Sequence, residues 1–287
     1  MNYFITGGTG FIGTHLTKLL NELHPEAKVY NLDIVKPGTP LPTVKDYKSP
    51  LKEGETVKAE FIYCDVRKPI ELNVPVSSED IIFNFAAVHR TPGHPDYEYF
   101  ETNIRGAENV CAFAEKHGIK KIVFTSSIAP YGAAEELKEE TTLPTPNTPY
   151  GISKLVAEKI HTIWQAKNEK ERQLTIVRPG VVFGKGENGN FTRLYWAIRG
   201  HKFAYPGRKD TIKACIYVKE LVRFMVYRLE NHAEGIELYN CCFEPAYTIQ
   251  HIVEAMKKVT GLTSTVFDIP NWVIMPAATI IGTLGAP

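Results

Sequence analysis

A chain of 287 residues with 44% apolar side chains can build a substantial core, as one large α/β domain or as a cofactor domain with a smaller partner. Its net charge of +1 gives no electrostatic footing for nucleic acid, and no nucleic-acid partner is expected. The five cysteines, Cys64, Cys111, Cys215, Cys241 and Cys242, are odd in number and lack paired zinc spacing, which predicts buried thiols in a reducing cytoplasm and no metal.

The first predicted element is a strand over Tyr3–Thr6, too near the start to leave room for a signal peptide, so a cytoplasmic location is expected. It runs into Thr6-Gly7-Gly8-Thr9-Gly10-Phe11-Ile12-Gly13 and then a helical pattern. Glycines at Gly7, Gly10 and Gly13 allow a tight turn and close approach of backbone to a pyrophosphate, with the helix-start amides of Phe11, Ile12 and Gly13 facing it. The next strand, Lys28–Asp33, ends on Asp33, about twenty residues past the last glycine, where a carboxylate holds a ribose 2′-hydroxyl. A carboxylate there repels a 2′-phosphate, so the expected cofactor is NAD and not NADP.

Residues 36–58, rich in Pro, Gly, Thr and Lys, read as a surface loop. Strands at Phe61–Cys64, Ile81–Phe85, Lys121–Ser126 and Leu174–Arg178 alternate with helices at Phe100–His117 and Tyr150–Ala166. Such alternation implies right-handed crossovers and a Rossmann-type doubly wound parallel sheet. Beyond Arg178 the order loosens into helices at Phe191–Arg199, Val218–Glu230 and Thr248–Val259 and a strand at Glu237–Asn240. Residues 1–178 are therefore expected to form the dinucleotide-binding domain. Residues 179–287 should form mainly a smaller α/β substrate-binding lobe, with part of 211–242 returning to the first domain. The run from Ile269 to Pro287 carries no charge and reads either as a core-packing terminal helix or as a surface resting on the cytoplasmic face of a membrane. No apolar stretch is long enough to span a bilayer.

The reactive groups sit at the start of the Tyr150–Ala166 helix. Thr148 caps it, Pro149 suits its first position, and Tyr150 falls in the first turn with Lys154 four residues on, on the same face. A phenol titrates near pH 10 and is a poor base, but an adjacent ammonium and a positive nicotinamide both favour the phenolate. The pair can then take a proton from a sugar hydroxyl. Tyr-x-x-x-Lys occurs often by chance. Here a third group supports it: Ser127 emerges from the Phe124-Thr125-Ser126 strand end, at the carboxyl edge where open α/β sheets bind ligands.

Together with Asp65-Val66, Asn84-Phe85-Ala86-Ala87, Tyr131-Gly132 and Arg178-Pro179 with Gly184, these motifs resemble the extended short-chain dehydrogenase/reductases of the nucleotide-sugar epimerase/dehydratase family, over nearly the whole chain. The resemblance implies that Asp65 contacts the adenine, with Val66 beside it. Ala86 and Ala87 would line the nicotinamide ribose pocket, Lys154 would also hold that ribose, and Thr125 would lie next to the nicotinamide. Ser127 is followed by Ile128-Ala129-Pro130, without the Asp-Glu pair of the 4,6-dehydratases or the Glu of the decarboxylases, which leaves oxidation and re-reduction at C4. A finer resemblance is to the O-antigen (lipopolysaccharide) pathway N-acetylglucosamine 4-epimerases, carried by Ala86–Arg90, Arg178–Gly184, Gly189–Leu194, Ile216–Val218 and the apolar C-terminal segment. The implied activity is an isomerase: an NAD-dependent 4-epimerase of a sugar diphosphate. UDP-N-acetylglucosamine, UDP-glucose and polyprenyl-diphosphate-linked N-acetylglucosamine are the candidate substrates. A 4-ketoreductase of a deoxy nucleotide sugar and a non-catalytic NAD-binding scaffold are the alternatives. Substrate-side candidates are His89 and Arg90, after the Asn84–Ala87 strand end, Asn190, whose amide suits a diphosphate, and Lys213, which stands where relatives often carry an arginine. The family also implies a homodimer through Phe100–His117 and Tyr150–Ala166.

Overall fold

The alternation along the first strand sets the layers. In the computed structural model, which describes residues 1–37, 56–89, 93–233 and 235–270, β1 (Asn2–Thr6) sends Phe4 into one core and Tyr3 and Ile5 into another, all three fully enclosed. Each face must then be covered, and helices cover both. On the Phe4 face lie α2 (Asp96–His117) and α3 (Pro149–Ala166), bringing Phe113, Ala114, Ala157 and Trp164 against Ile82, Ile122 and Ile176. The opposite face holds α1 (Phe11–Leu23), which places Leu16 and Leu20 against the sheet.

The remaining strands of this sheet are β2 (Lys28–Asp33), β3 (Glu60–Tyr63), β4 (Ile81–Asn84), β5 (Lys121–Thr125) and β6 (Gln173–Pro179), with one further strand joining later in the chain. Beyond β6 come β7 (Val181–Phe183), α4 (Asn190–Arg199), β8 (Ala204–Pro206), β9 (Ile212–Lys213) and β10 (Cys215–Tyr217). Next, α5 (Val218–Glu230) returns to the α1 face with Leu221, Val222, Met225 and Val226, and β11 (Ile236–Cys241) pairs parallel to β6. The chain goes on through β12 (Tyr247–Thr248), α6 (Ile249–Thr260) and β13 (Phe267–Ile269).

Seven parallel strands result, in the order β11-β6-β5-β4-β1-β2-β3. The order reverses between β1 and β4, so the connections after these neighbours leave in opposite directions and open a crevice at their carboxyl ends. The smaller lobe has a third core of Ile198, Tyr205 and Val253, joined by Leu194, Ile249 and Met256. Its two-stranded pairings, β7 with β10, β8 with β13 and β9 with β12, join segments too short to leave a periodic signal in the sequence.

Boundaries differ from the expectations by a few residues. The second helix starts at Asp96, not Phe100, because Pro95 occupies its cap position and Asp96 and Glu98 suit the positive end of the helix dipole. The strand expected to begin at Leu174 starts at Gln173 and extends to Pro179, which pairs with Cys241. Most of the expected 36–58 loop and the apolar run from residue 271 onward lie outside the described residues. Among the described residues no helix is long and apolar enough to cross a membrane. Phe83, central in β4 and fully enclosed, tests the α1-face core: Phe83→Ala is expected to cost about 3–5 kcal/mol, read as a lower midpoint in urea denaturation.

Candidate active site

At the carboxyl end of β1 the backbone is drawn into close contact with two neighbours. Gly7 has a left-handed φ of 67°, and a Cβ there would sit 2.9 Å from the Ala86 amide nitrogen. A Cβ on Gly13 would meet the Gly8 Cα and carbonyl oxygen at 2.6 Å, so α1 can approach the turn only with glycine at that position. Gly10 takes the cap position of α1 without a side-chain cap, and the first turn of Phe11, Ile12 and Gly13 follows. Asp33 ends β2 beside this turn; its carboxylate accepts hydrogen bonds from the Thr9 amide (3.2 Å) and the Val35 amide (3.1 Å). A glycine cradle, a helix start without a side-chain cap and a carboxylate on the next strand fit a dinucleotide carrying a free 2′-hydroxyl.

Asp65 is bound by the Arg67 guanidinium (2.7 and 2.8 Å), which holds its carboxyl below the usual range. Val66 is buried, and its carbonyl accepts from Asn109 on α2. Half-buried Ala86 and Ala87 lead out of β4. Behind them the Asn103 side chain clamps the Val88 backbone, accepting from its nitrogen (2.9 Å) and donating to its oxygen (3.1 Å), and also donates to the Ser153 hydroxyl at 2.8 Å. Asn103 thereby ties the loop after β4 to α3. Sequence reasoning missed it, because one asparagine inside a helical pattern carries no local signal.

The start of α3 forms as its residues dictate. Thr148 accepts from the Gly151 amide at 3.1 Å, worth about 1 kcal/mol, and Pro149 takes the first position. Tyr150 is half-buried with Ser127 near its hydroxyl, and the Ser127 hydroxyl accepts from the Ala129 amide at 3.1 Å. Lys154 is buried; its ammonium nitrogen donates to the Thr125 carbonyl at 2.6 Å and lies 4.2 Å from the centre of the Phe124 ring. The hydroxyls of Thr125 and Ser126 are buried with no partner among the described residues, leaving two polar groups at this edge for something else to satisfy.

The electrostatics depart from the expectation for a tyrosine beside an ammonium. Burial raises the Tyr150 hydroxyl above its ordinary value, while Ser127 pulls it down. Burial also lowers Lys154 from 10.5 to about 7, partly opposed by Glu158. The reason is desolvation, which penalises the phenolate and the ammonium alike.

Of the substrate-side candidates, His89 is exposed at the end of the β4 loop, and Arg90 lies outside the described residues. Asn190 opens α4 on the surface, its carboxamide oxygen taken by Arg193 at 2.7 Å, and Lys213 is exposed on β9. No group of His, Cys, Asp and Glu able to hold a metal occurs among the described residues.

The family described as the NAD dependent epimerase/dehydratase family matches residues 3–242. The chain belongs to that family. NAD is accordingly its cofactor. Among relatives, it is 33% identical over 258 residues to the N-acetyl-alpha-D-glucosaminyl-diphospho-ditrans,octacis-undecaprenol 4-epimerase of Escherichia coli O157:H7, covering 90% of this chain and 72% of the relative. It is 27% identical to the UDP-glucose 4-epimerase of Bacillus subtilis, over 91% of this chain and 83% of that one. The UDP-glucuronic acid 4-epimerase from Bacillus cereus, solved with NAD, shares the fold with a TM-score of 0.76 at 22% identity, over 94% of this chain and 86% of that one.

Membership leaves the buried lysine open to a direct test. With a folded value of about 7 against 10.5, the unfolded chain keeps the Lys154 proton between those pH values while the folded chain has shed it. Stability should therefore rise with pH across that window, and the cost of burying the charge is complete below it. Lys154→Met is expected to raise the melting temperature at pH 6 and to raise it less at pH 9; an equal gain at both would contradict the assignment.

Proposed function

We propose that the protein is an NAD-dependent 4-epimerase of a sugar diphosphate, an isomerase, with Tyr150 as the base, Ser127 as its hydrogen-bonding partner and Lys154 as the buried cation. One observation supports this above the others: the Ser127–Tyr150 hydroxyl pair stands at the carboxyl edge of the sheet with Lys154 one turn on, beside the glycine cradle. Gly7, Gly10, Phe11, Ile12 and Gly13 would hold the pyrophosphate of NAD, Asp33 the adenosine ribose, Asp65 and Val66 the adenine. Ala86, Ala87, Thr125 and Lys154 would surround the nicotinamide end. When bound, NAD supplies the acceptor and later the donor of the C4 hydride.

Tyr150 takes the O4 proton as the C4 carbonyl forms, and Ser127 stabilises the charge developing on that oxygen. The 4-keto sugar turns about its bond to the diphosphate and presents its other face. Tyr150 then returns the proton to O4, giving the C4 epimer with the enzyme in its starting state. His89, Arg90, Asn190 and Lys213 are assigned to the substrate, with the last two facing its diphosphate. Residues 179–213 and those after β11 make the substrate lobe, and a homodimer forms through α2 and α3.

The Escherichia coli relative is named for a lipid-diphosphate substrate, so N-acetylglucosamine on a polyprenyl diphosphate is the substrate to test first, beside UDP-N-acetylglucosamine and UDP-glucose. A lipid substrate places the enzyme at the cytoplasmic face of a membrane, in the synthesis of a surface polysaccharide. Incubation with catalytic NAD and no reductant is expected to convert one of these to its galacto epimer without net change in NADH, whereas stoichiometric NADH consumption would mark a ketoreductase. Tyr150→Phe is expected to lower turnover by about 10²–10⁴-fold with the melting curve intact; full activity in that variant would sink the assignment.

A further inference from the structure

Lys154 is one of three ionisable side chains enclosed together. One turn along α3 stands Glu158, whose carboxylate is gripped by the Arg178 guanidinium of β6 through two bonds of 2.8 and 2.6 Å, with both side chains 4% exposed. Arg178 is wedged 4.7 Å from the centre of the Tyr131 ring, and its remaining terminal nitrogen has no partner among the described residues. Arg178 thus takes the Glu158 carboxylate, with Lys154 one turn away on the same helix. A bidentate pair at this depth is a poor source of stability, since apolar residues of similar volume serve as well. Its geometry has another consequence: the fork fixes the anion on the helix face that carries Lys154, one turn behind it.

The other groups around Lys154 offer no substitute. On α3, Tyr150 lies one turn ahead, and His161 is held neutral by burial, lowered to about 4. From α2 come Tyr99, packed on the Tyr150 ring at 6.2 Å, and Asn103, bonded to Ser153. The strand β5 offers the Thr125 carbonyl and two hydroxyls, and β6 only the Arg178 cation. Glu158 is the anion of this interior.

We propose that Glu158, fixed by Arg178, is the positioning residue that raises the pH up to which Lys154 holds its proton in the site. Burial weakens the hold of Lys154 on its proton, and the charge of Glu158 opposes that loss. A neutral lysine cannot favour the Tyr150 phenolate, so the carboxylate sets the upper pH limit over which the tyrosine serves as base. The consequence for turnover rests on the epimerase reading; the titration of Lys154 does not.

The test follows the Cε–Hε resonance of Lys154 by NMR in lysine-labelled protein, identified by its absence in Lys154→Met, through a pH titration of the wild type and two variants. Glu158→Gln removes the anion but strands Arg178, so the double variant Glu158→Met with Arg178→Met, which leaves no buried charge unpaired, is run beside it. In whichever variant keeps the wild-type circular dichroism spectrum, the Lys154 midpoint is expected to fall by about one pH unit or more, a tenfold loss of proton affinity. The alkaline limb of kcat/KM on the sugar diphosphate should move by the same amount. An unchanged midpoint in a folded variant overturns the inference. A lowered midpoint in a protein inactive on every sugar diphosphate upholds it and removes the epimerase reading instead.

Discussion

The carboxamide of Asn84 joins three parts of the molecule that are remote in sequence. At the end of β4 its oxygen accepts from the Thr6 hydroxyl at 2.7 Å, where β1 enters the glycine turn, and its nitrogen donates to His161 on α3 at 3.1 Å. His161 completes the chain by donating its Nδ1 hydrogen to the Ala157 carbonyl at 2.7 Å, and it stacks on Phe124 of β5. Each member is enclosed, so each must be satisfied by the next; a gap would leave a buried polar group at a cost of about 1–3 kcal/mol. This thread sets the height of α3 against the sheet edge. The distance between the glycine turn and the Tyr150 end of α3 follows from it.

The thread needs a neutral imidazole, with one nitrogen donating and the other accepting. Burial and the nearby Lys154 charge both press His161 toward that state, against the Ala157 bond. The inner face of α3 therefore carries Lys154, Glu158 and His161 at one-turn spacing, among residues of the apolar core. Such a stripe is expensive to bury, and apolar residues would pack as well. Its presence is best understood through the site it serves: electrostatic effects are strongest where water is excluded, and charge at the sheet edge can be tuned only from beneath.

Legibility followed the range of the interaction involved. Short, nearly continuous apolar runs marked β1, β2, β4, β5 and β6, since burial on both faces leaves no alternation with polar residues. Thr148-Pro149 marked the start of α3 because capping is local. The glycine turn was readable for the same reason, its conformation being a property of residues 7–13 themselves. The pairing of β9 with β12 and of β8 with β13 was not, as two or three residues form no period and are chosen by the third core. Asn103 and His161 were missed, for each is unremarkable until its partners, at separations of 15 to 77 residues, are brought alongside.

By itself the sequence determined the element types, the cofactor turn with its carboxylate at Asp33, and the spacing that puts Tyr150 and Lys154 on one helix face. These depend on backbone conformation and on periods of two and 3.6 residues, which neighbours in the chain enforce. The tertiary structure alone decided the protonation balance of the site. Whether Tyr150 and Lys154 are charged depends on how much water reaches them and where Glu158 and Arg178 stand, and these are properties of the packed interior. The sequence names the titratable groups, and only the fold sets the dielectric and the distances between them.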